Sequence, residues 1–505
     1  MGSITGRQWL ILLSVQFTTV LFGLTATSVT VILPQLKGAL SATQDQISWV
    51  ITFNLVATAI ATPLTGWLAG KLGWRTLMIC SVIGFTTATM LCGLIETLET
   101  LLLLRVLQGA FGAPIFPLGQ TIILSSFHRS QHPFVVMLWG VGGVMGPILG
   151  PFFGGMVAEL FTWRWTFFVI CPLGVVAGMI AFIALRDDEK GLARQFDYWG
   201  FIFIGIAVAA AQLLFDRGQR NDWFDSPETV IEVGLMAVFF SMFAIHMMTA
   251  RAPLFDAATF RDRNFCVGIV VGLIMGMLQY TPMVLFPPLL QELQGYPESA
   301  IGFLVGSRGL GNLMSFLVVT PLTRFNPRLC LFIGLSIQAT AGMWMGSFDM
   351  TLTESDVMWS NILHGFGFGL TYTPMAILAF STMPARLLTQ GNAIFALIRM
   401  LGSSVFVSMT LLVFAHSMAE ANVNLSSSIT VFTRDMIAPW MAAIGSETQV
   451  HARLAAEIQR QASMIGYINA FHLMTLVPIL TAPLAFLFVT KVASPPLSSG
   501  EVSRS

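Results

Sequence analysis

The sequence predicts an all-α integral membrane protein with fourteen transmembrane helices: two six-helix bundles and two helices inserted between them. Three observations predict it. Only 10% of the 505 residues are charged and 55% are hydrophobic, whereas a soluble domain carries about 25% charge. Fourteen apolar runs are each long enough to cross the bilayer, a span needing about 20 residues for ~30 Å of hydrocarbon. And the tetrapeptide TPLT, residues 62–65, returns at 320–323, each time closing a long span just before basic residues. Backbone amides in lipid must bond within their own segment, so the runs are helices. The short alternating segments of a barrel are missing.

Span 1 (8–33) follows only Arg7 and lacks a small-residue cleavage pattern, so it reads as a retained span. Spans 2 to 6 follow at 47–69, 75–95, 100–127, 134–158 and 163–185. The charged stretch RDDEKGLARQFD, 186–197, reads as a linker. Spans 7 and 8, 197–216 and 229–250, form the insertion. Spans 9 to 14 then repeat the first six, at 264–290, 299–324, 328–347, 355–382, 391–416 and 466–490. The expected division is residues 1–186, 187–262, 263–490 with an external loop at 417–465 that holds a helix-like stretch from Glu447 to Gln461, and a cytoplasmic tail at 491–505.

With the N-terminus inside, the inner loops hold fifteen basic residues and the outer loops seven, three of these in the long 417–465 loop. The positive-inside rule therefore puts both termini in the cytoplasm. The five cysteines lack metal-ligand spacing, and no GxxxxGK[ST] stretch or nucleophile–base–metal cluster occurs. The expectation is no cofactor, no metal, no nucleic acid and no enzyme.

Span 5 contains GVGGVMGPILGPFFGG, 140–155, with seven glycines and two prolines in an uncharged run. Gly142, Gly146, Gly150 and Gly154 recur every fourth residue, on one helix face. Such a groove admits a second helix at short range. Pro147 and Pro151 remove backbone donors and permit bending.

This stretch resembles the span 5 "antiporter" motif of the major facilitator superfamily. GWLAGKLGWR (66–75, with Gly66, Gly73 and Arg75) resembles the loop 2–3 motif, and LLLLRVLQGAFGAP (101–114) the span 4 motif with Arg105. WRWTFFVICPLG (163–174), LLQELQGY (289–296) and GNAIFALIRMLGSS (391–404) are similar to the fourteen-span drug:proton antiporters, the Emr-type multidrug exporters. The resemblance implies an alternating-access carrier in the cell inner membrane. It would export amphipathic small molecules, with a periplasmic membrane-fusion protein and an outer-membrane channel as candidate partners. It also implies that the span 5 glycines lie near the bundle junction, so that a bulky residue at Gly146 or Gly150 would stop transport and spare insertion.

The sequence departs from that family where acids are expected. Thr25 stands where relatives carry Asp in span 1, Thr30 where they carry Asn, Gly70 at the Asp of the loop motif and Asn469 at an acid near span 14. A proton-driven carrier needs a group that titrates in the membrane. Glu159, Asp216, Glu232 and Glu292 all read as lying near the outer ends of spans; the candidates are Arg105, Glu292 and His364, with His472 early in span 14 and a carrier coupled to no proton as further alternatives. Arg105, Arg308 and Arg399 fall inside spans, at about 3 kcal/mol each, so they face protein or water. Two readings stay open for them: a positive cavity favouring anions, or bonds to backbone carbonyls at kinks. The expected cavity residues are Thr25, Thr30, Gln120, Tyr280, Arg308, Tyr372, Arg399 and Asn469. Three functions stay open: multidrug efflux, specific export of an anionic metabolite such as a siderophore or fatty acid, and a transport-impaired sensor or assembly partner.

Overall fold

A computed structural model describes residues 4–186, 195–218, 223–427 and 447–489, which leaves most of the linker, the middle of the 417–465 segment and the 491–505 tail outside the described residues. The first bundle comprises α1 (Gly6–Ala39), α2 (Gln44–Ala61), α3 (Leu64–Leu72), α4 (Trp74–Cys92), α5 (Leu98–Gly112), α6 (Ile115–Ser126), α7 (His132–Leu160) and α8 (Trp163–Ala184). The inserted hairpin is α9 (Tyr198–Arg217) and α10 (Pro227–Thr249). After the short α11 (Ala257–Arg261) come α12 (Arg263–Pro288), α13 (Glu298–Phe325), α14 (Pro327–Met345), α15 (Glu354–Phe380), α16 (Leu388–Ser427) and α17 (Glu447–Thr481). Among the described residues thirteen helices are long and apolar enough to span, and α2 with α3 makes a fourteenth, bent by 59°.

That bend marks a difference between the two TPLT copies. Pro63 breaks span 2, whereas α13 runs through Pro321 unbroken. Proline removes one backbone donor in either place; packing decides whether the helix yields. The same offset carries Asn54 onto Asn312 (312 − 54 = 320 − 62). Both asparagines are buried, and both face glycines of a partner span. A Cβ on Gly109 of α5 would meet the Asn54 carbonyl, and one on Gly369 of α15 would lie 2.6 Å from Asn312 Oδ1. Sequence repeat and helix pairing coincide.

The hairpin is pinned at both ends. Asp197 accepts from His246 Nε2 at 2.8 Å, and Arg217 Nη1 donates to Glu228 Oε1 at 2.7 Å. α9 packs against α2 of one bundle and α16 of the other, while α10 packs on α9 and faces outward.

The segment expected as an external loop is helical at both ends. α16 has 40 residues, about 60 Å at 1.5 Å per residue, twice what the bilayer requires. Asn422 Nδ2 donates to Gln459 Oε1 at 2.7 Å, tying the α16 extension to that of α17.

Candidate functional site

The buried apolar core is continuous across the two bundles only toward the face that carries both ends of the described chain. There Leu12, Val15 and Trp139 join one cluster with Phe265, Met275 and Tyr372. Toward the opposite face it divides into one cluster per bundle, with Ile32, Val50 and Phe167 in the first and Phe286, Leu289 and Phe471 in the second. The bundles are thus joined on the terminal side and parted on the other.

Specific contacts hold the joined side. Asn392 Nδ2 of α16 donates to Thr121 Oγ1 of α6 at 3.1 Å. Thr320 Oγ1 of α13 lies 3.3 Å from Met137 Sδ of α7. Gly66 sits against Gln390, whose Cα would be 3.2 Å from an added Cβ. Gly73, at φ 83°, makes the α3–α4 turn in a region that favours glycine. Arg75, grouped with these glycines by sequence, contacts α8 of its own bundle. It donates to the Phe182 carbonyl at 3.2 Å and lies over the Phe182 ring.

At the apex of the parted side lies a small pocket that both bundles build. Phe116, Trp139, Gly140 and Gly143 line it from the first, and Gln279, Phe368, Tyr372 and Arg399 from the second. Arg399 is its one charged side chain. The guanidinium lies 4.5 Å from the Phe116 ring centroid, and Nη1 donates to Gln279 Oε1 at 2.7 Å. Trp139 Nε1 donates to Thr19 Oγ1 at 3.0 Å, which fixes the indole. The Tyr372 hydroxyl and Arg399 Nε are buried without partners, groups that a polar ligand can satisfy. An aromatic box around one cation suits a flat apolar body with an acceptor or an anionic group.

Of the expected cavity residues, only Tyr372 and Arg399 line this pocket. Thr25 is buried and bonds the Leu21 carbonyl of its own helix at 2.7 Å. Thr30 is exposed and bonds Thr27 O. Gln120 is buried, its Nε2 without a partner; Tyr280 is half-buried one residue beyond Gln279. Asn469 is exposed on α17, in line with Ile465 and His472, and does not line this pocket. Arg308 lies behind the pocket. Its Nη2 and Nη1 donate to the Leu278 and Gln279 carbonyls at 2.8 and 2.5 Å, and the guanidinium lies over Phe368. The Leu278 carbonyl is free for it because Pro282, four residues on, has no N–H. For Arg308, the carbonyl-bonding reading is the one this geometry matches.

The proton-coupling candidates are scattered. Arg105 is buried inside the first bundle, donating to Gln108 Oε1 at 2.6 Å, with Nε and Nη2 unpartnered. His364 is fully buried on α15 with both ring nitrogens unpartnered. Glu292 is exposed in the turn after α12.

The glycine groove needs a correction. Gly142, Gly146, Gly150 and Gly154 face α1 of their own bundle, against Gln16, Val20, Gly23, Leu24 and Ser28. Thr27 Oγ1 of α1 donates to the Pro147 carbonyl at 3.1 Å, an acceptor left open because Pro151 lacks an N–H. The glycine that meets the other bundle is Gly140, 3.5 Å from Tyr372 Cδ1 as judged by an added Cβ. α7 does pack against α13 and α15 at the junction, but with a different face.

Comparison with known proteins follows this geometry. The chain is 28% identical over 500 residues to the multidrug export protein EmrB of Haemophilus influenzae, covering 98% of this chain and 97% of that one. It is 28% identical to the fatty acid resistance protein FarB of Neisseria gonorrhoeae over 94% of each. Among solved structures, the proton:xylose symporter XylE superposes with TM-score 0.62 at 12% identity, over 95% of this chain and 96% of that one. The human organic anion transporter MFSD10 gives 0.59, also at 12% identity, over 95% and 100%. The model of the Major Facilitator Superfamily matches residues 15–407, and with the two-bundle seam just described this places the chain in that family.

Proposed function

We propose that the chain is an inner-membrane secondary exporter of amphipathic small molecules, driven by protons through alternating access, with both termini cytoplasmic. The observation that carries this is the pocket built by both bundles at the tip of a one-sided cleft. Rocking the bundles would expose that pocket to each face in turn. Relatives of similar length named for multidrug export and for fatty acid resistance support the substrate class.

Arg399 favours anionic amphipaths within that class, because no carboxylate lines the pocket to oppose it. In liposomes, Arg399→Gln is expected to lower flux of anilinonaphthalene sulfonate at least about tenfold, the loss of one charge-assisted contact of 1.5–3 kcal/mol. Ethidium flux should hold or rise. Equal loss for both dyes would refute the charge preference, and no flux of either dye through the unmodified protein would favour the sensor.

The paired extensions of α16 and α17 support docking of a periplasmic membrane-fusion partner. Val423, 67% exposed, is the apolar residue such a partner would cover. Val423→Asp should weaken resistance in cells and leave flux in liposomes unchanged. Unimpaired cells would argue against docking there.

A further inference from the structure

The core spans lack the family's acids, yet the inserted hairpin holds a carboxylate with an unmet need. Among the described residues Glu232 is the one acid that is buried, and Asp197 is the instructive contrast. Asp197 has a side chain 7% exposed but is fully served, by the Gly200 and Leu254 amides at 2.9 Å each and by His246 at 2.8 Å. Glu232, on α10, is 6% exposed and its Oε2 has no donor. A bare buried carboxylate is expensive unless it is paired or protonated.

Among the described residues, Arg217 is the cation whose charge acts on it and Glu228 the acid. The elements packed on α10 are α9, which supplies Asp216 and Arg217, and the turn Trp223–Asp225, which supplies Asp225. One helical turn before Glu232 stands Glu228, which already engages the Arg217 guanidinium. Arg217 also lies over the Trp49 ring of α2, 5.3 Å from its centroid. Among the described residues, Glu228 and Glu232 thus both lie in the field of Arg217 while Glu228 holds its Nη1, an arrangement in which one carboxylate of the pair holds a proton.

This cluster sits where the hairpin grips both bundles. Thr52 of α2 donates its hydroxyl proton to Asp216 Oδ2. One turn earlier on α9, Gln212 Nε2 donates to Ser404 Oγ of α16 at 2.7 Å. A change in how Arg217 is shared therefore acts on the end of a helix tied to each moving half.

We propose that Glu232, with Arg217 and Asp216, is the binding site for the coupling proton, and that α9 passes its charge state to the seam between the bundles. The proton bonds to a Glu232 oxygen and leaves Arg217 to Glu228. Its release makes Glu232 compete for the guanidinium and pulls on the Asp216–Thr52 contact. This rests on the proton-driven reading above.

The test uses full-length protein in liposomes loaded with pyranine, with anilinonaphthalene sulfonate as the transported probe. The unmodified protein should move protons when the probe is added. Glu232→Gln should abolish probe-dependent proton movement while probe flux down its own gradient continues, and Glu292→Gln and His364→Gln should both keep the coupling. Coupling that survives in Glu232→Gln, or is lost in either of the other two, overturns the assignment. If the unmodified protein moves no protons, the proton-driven reading fails first. Should Glu232→Gln not reconstitute, Asp216→Asn at its exposed position serves instead: proton movement per probe equal to that of the parent overturns the proposal, and a drop supports it.

Discussion

Gly146→Leu is expected to abolish the folded protein, not transport alone. A Cβ at residue 146 would stand 2.9 Å from the Val20 carbonyl oxygen, 3.1 Å from Gly23 Cα and 3.2 Å from the Leu24 nitrogen. All three are backbone atoms of α1, so no side chain can swing aside. From the other side, a Cβ on Gly23 would meet Pro147 Cδ at 2.6 Å. Overpacking a core costs about 1–3 kcal/mol when side chains can adjust; here the helices themselves must part. Parting them also strands Thr27, which bridges the Gly23 and Pro147 carbonyls at 3.0 and 3.1 Å. Close approach of small residues is what holds helices together in lipid, where no hydrophobic drive remains. The check is the yield and thermal stability of monodisperse protein after detergent extraction. Gly155→Ala is the control, its Cβ in ordinary contact with Val31 Cγ1 at 3.4 Å. A Gly146→Leu protein extracted at the parent's yield would show that α1 and α7 do not pack this way.

The second large effect is at Arg308. Arg308→Gln removes the donors to the Leu278 and Gln279 carbonyls beside Pro282. The Leu278 carbonyl, which has no Pro282 N–H to fall back on, is left unsatisfied at a cost of about 1–3 kcal/mol, and a glutamine is too short to reach it from α13. The guanidinium also backs the Phe368 ring, at 5.1 Å, so the pocket wall loosens with it. The melting temperature should fall and flux of anionic and cationic probes should fall together, with partial recovery in Arg308→Lys, which restores one donor. A stable Arg308→Gln protein that loses anionic flux alone would move Arg308 back into the cavity. Set beside Arg399→Gln, the pair separates an arginine that braces the wall from one that meets the ligand.

Depth in the membrane was legible from the chain. Hydrophobic runs bounded by charge located every span to within a few residues, because transfer into lipid is a property of the segment itself. The exception is instructive: α16 continues as helix to Ser427 where polarity had marked loop, whereas the helix-like stretch read at 447–461 is helical in α17. Hydropathy reports solvent, not backbone conformation. Missed in the site were Phe116, Trp139, Phe368 and Gln279. In a chain with 41 phenylalanines and 12 tryptophans, an aromatic residue at the pocket carries the same local signal as one facing lipid. Gly23, the partner of Gly146 on α1, was missed because it stands alone rather than in a repeat.

By itself, then, the sequence determined how many helices cross, in what order, that the halves repeat, and that the core spans lack their expected acids. Only the tertiary structure decided which face of each helix meets which neighbour. It turned the glycines of α7 to α1, put Arg308 on carbonyls and Arg399 in the pocket, and left Asn469 out of it. The physical reason is that a bilayer sorts residues by depth along its normal but exerts almost no torque about a helix axis. Rotation is fixed by the fit of small residues, freed carbonyls and buried donors between helices, and that fit exists only once the partners are in place.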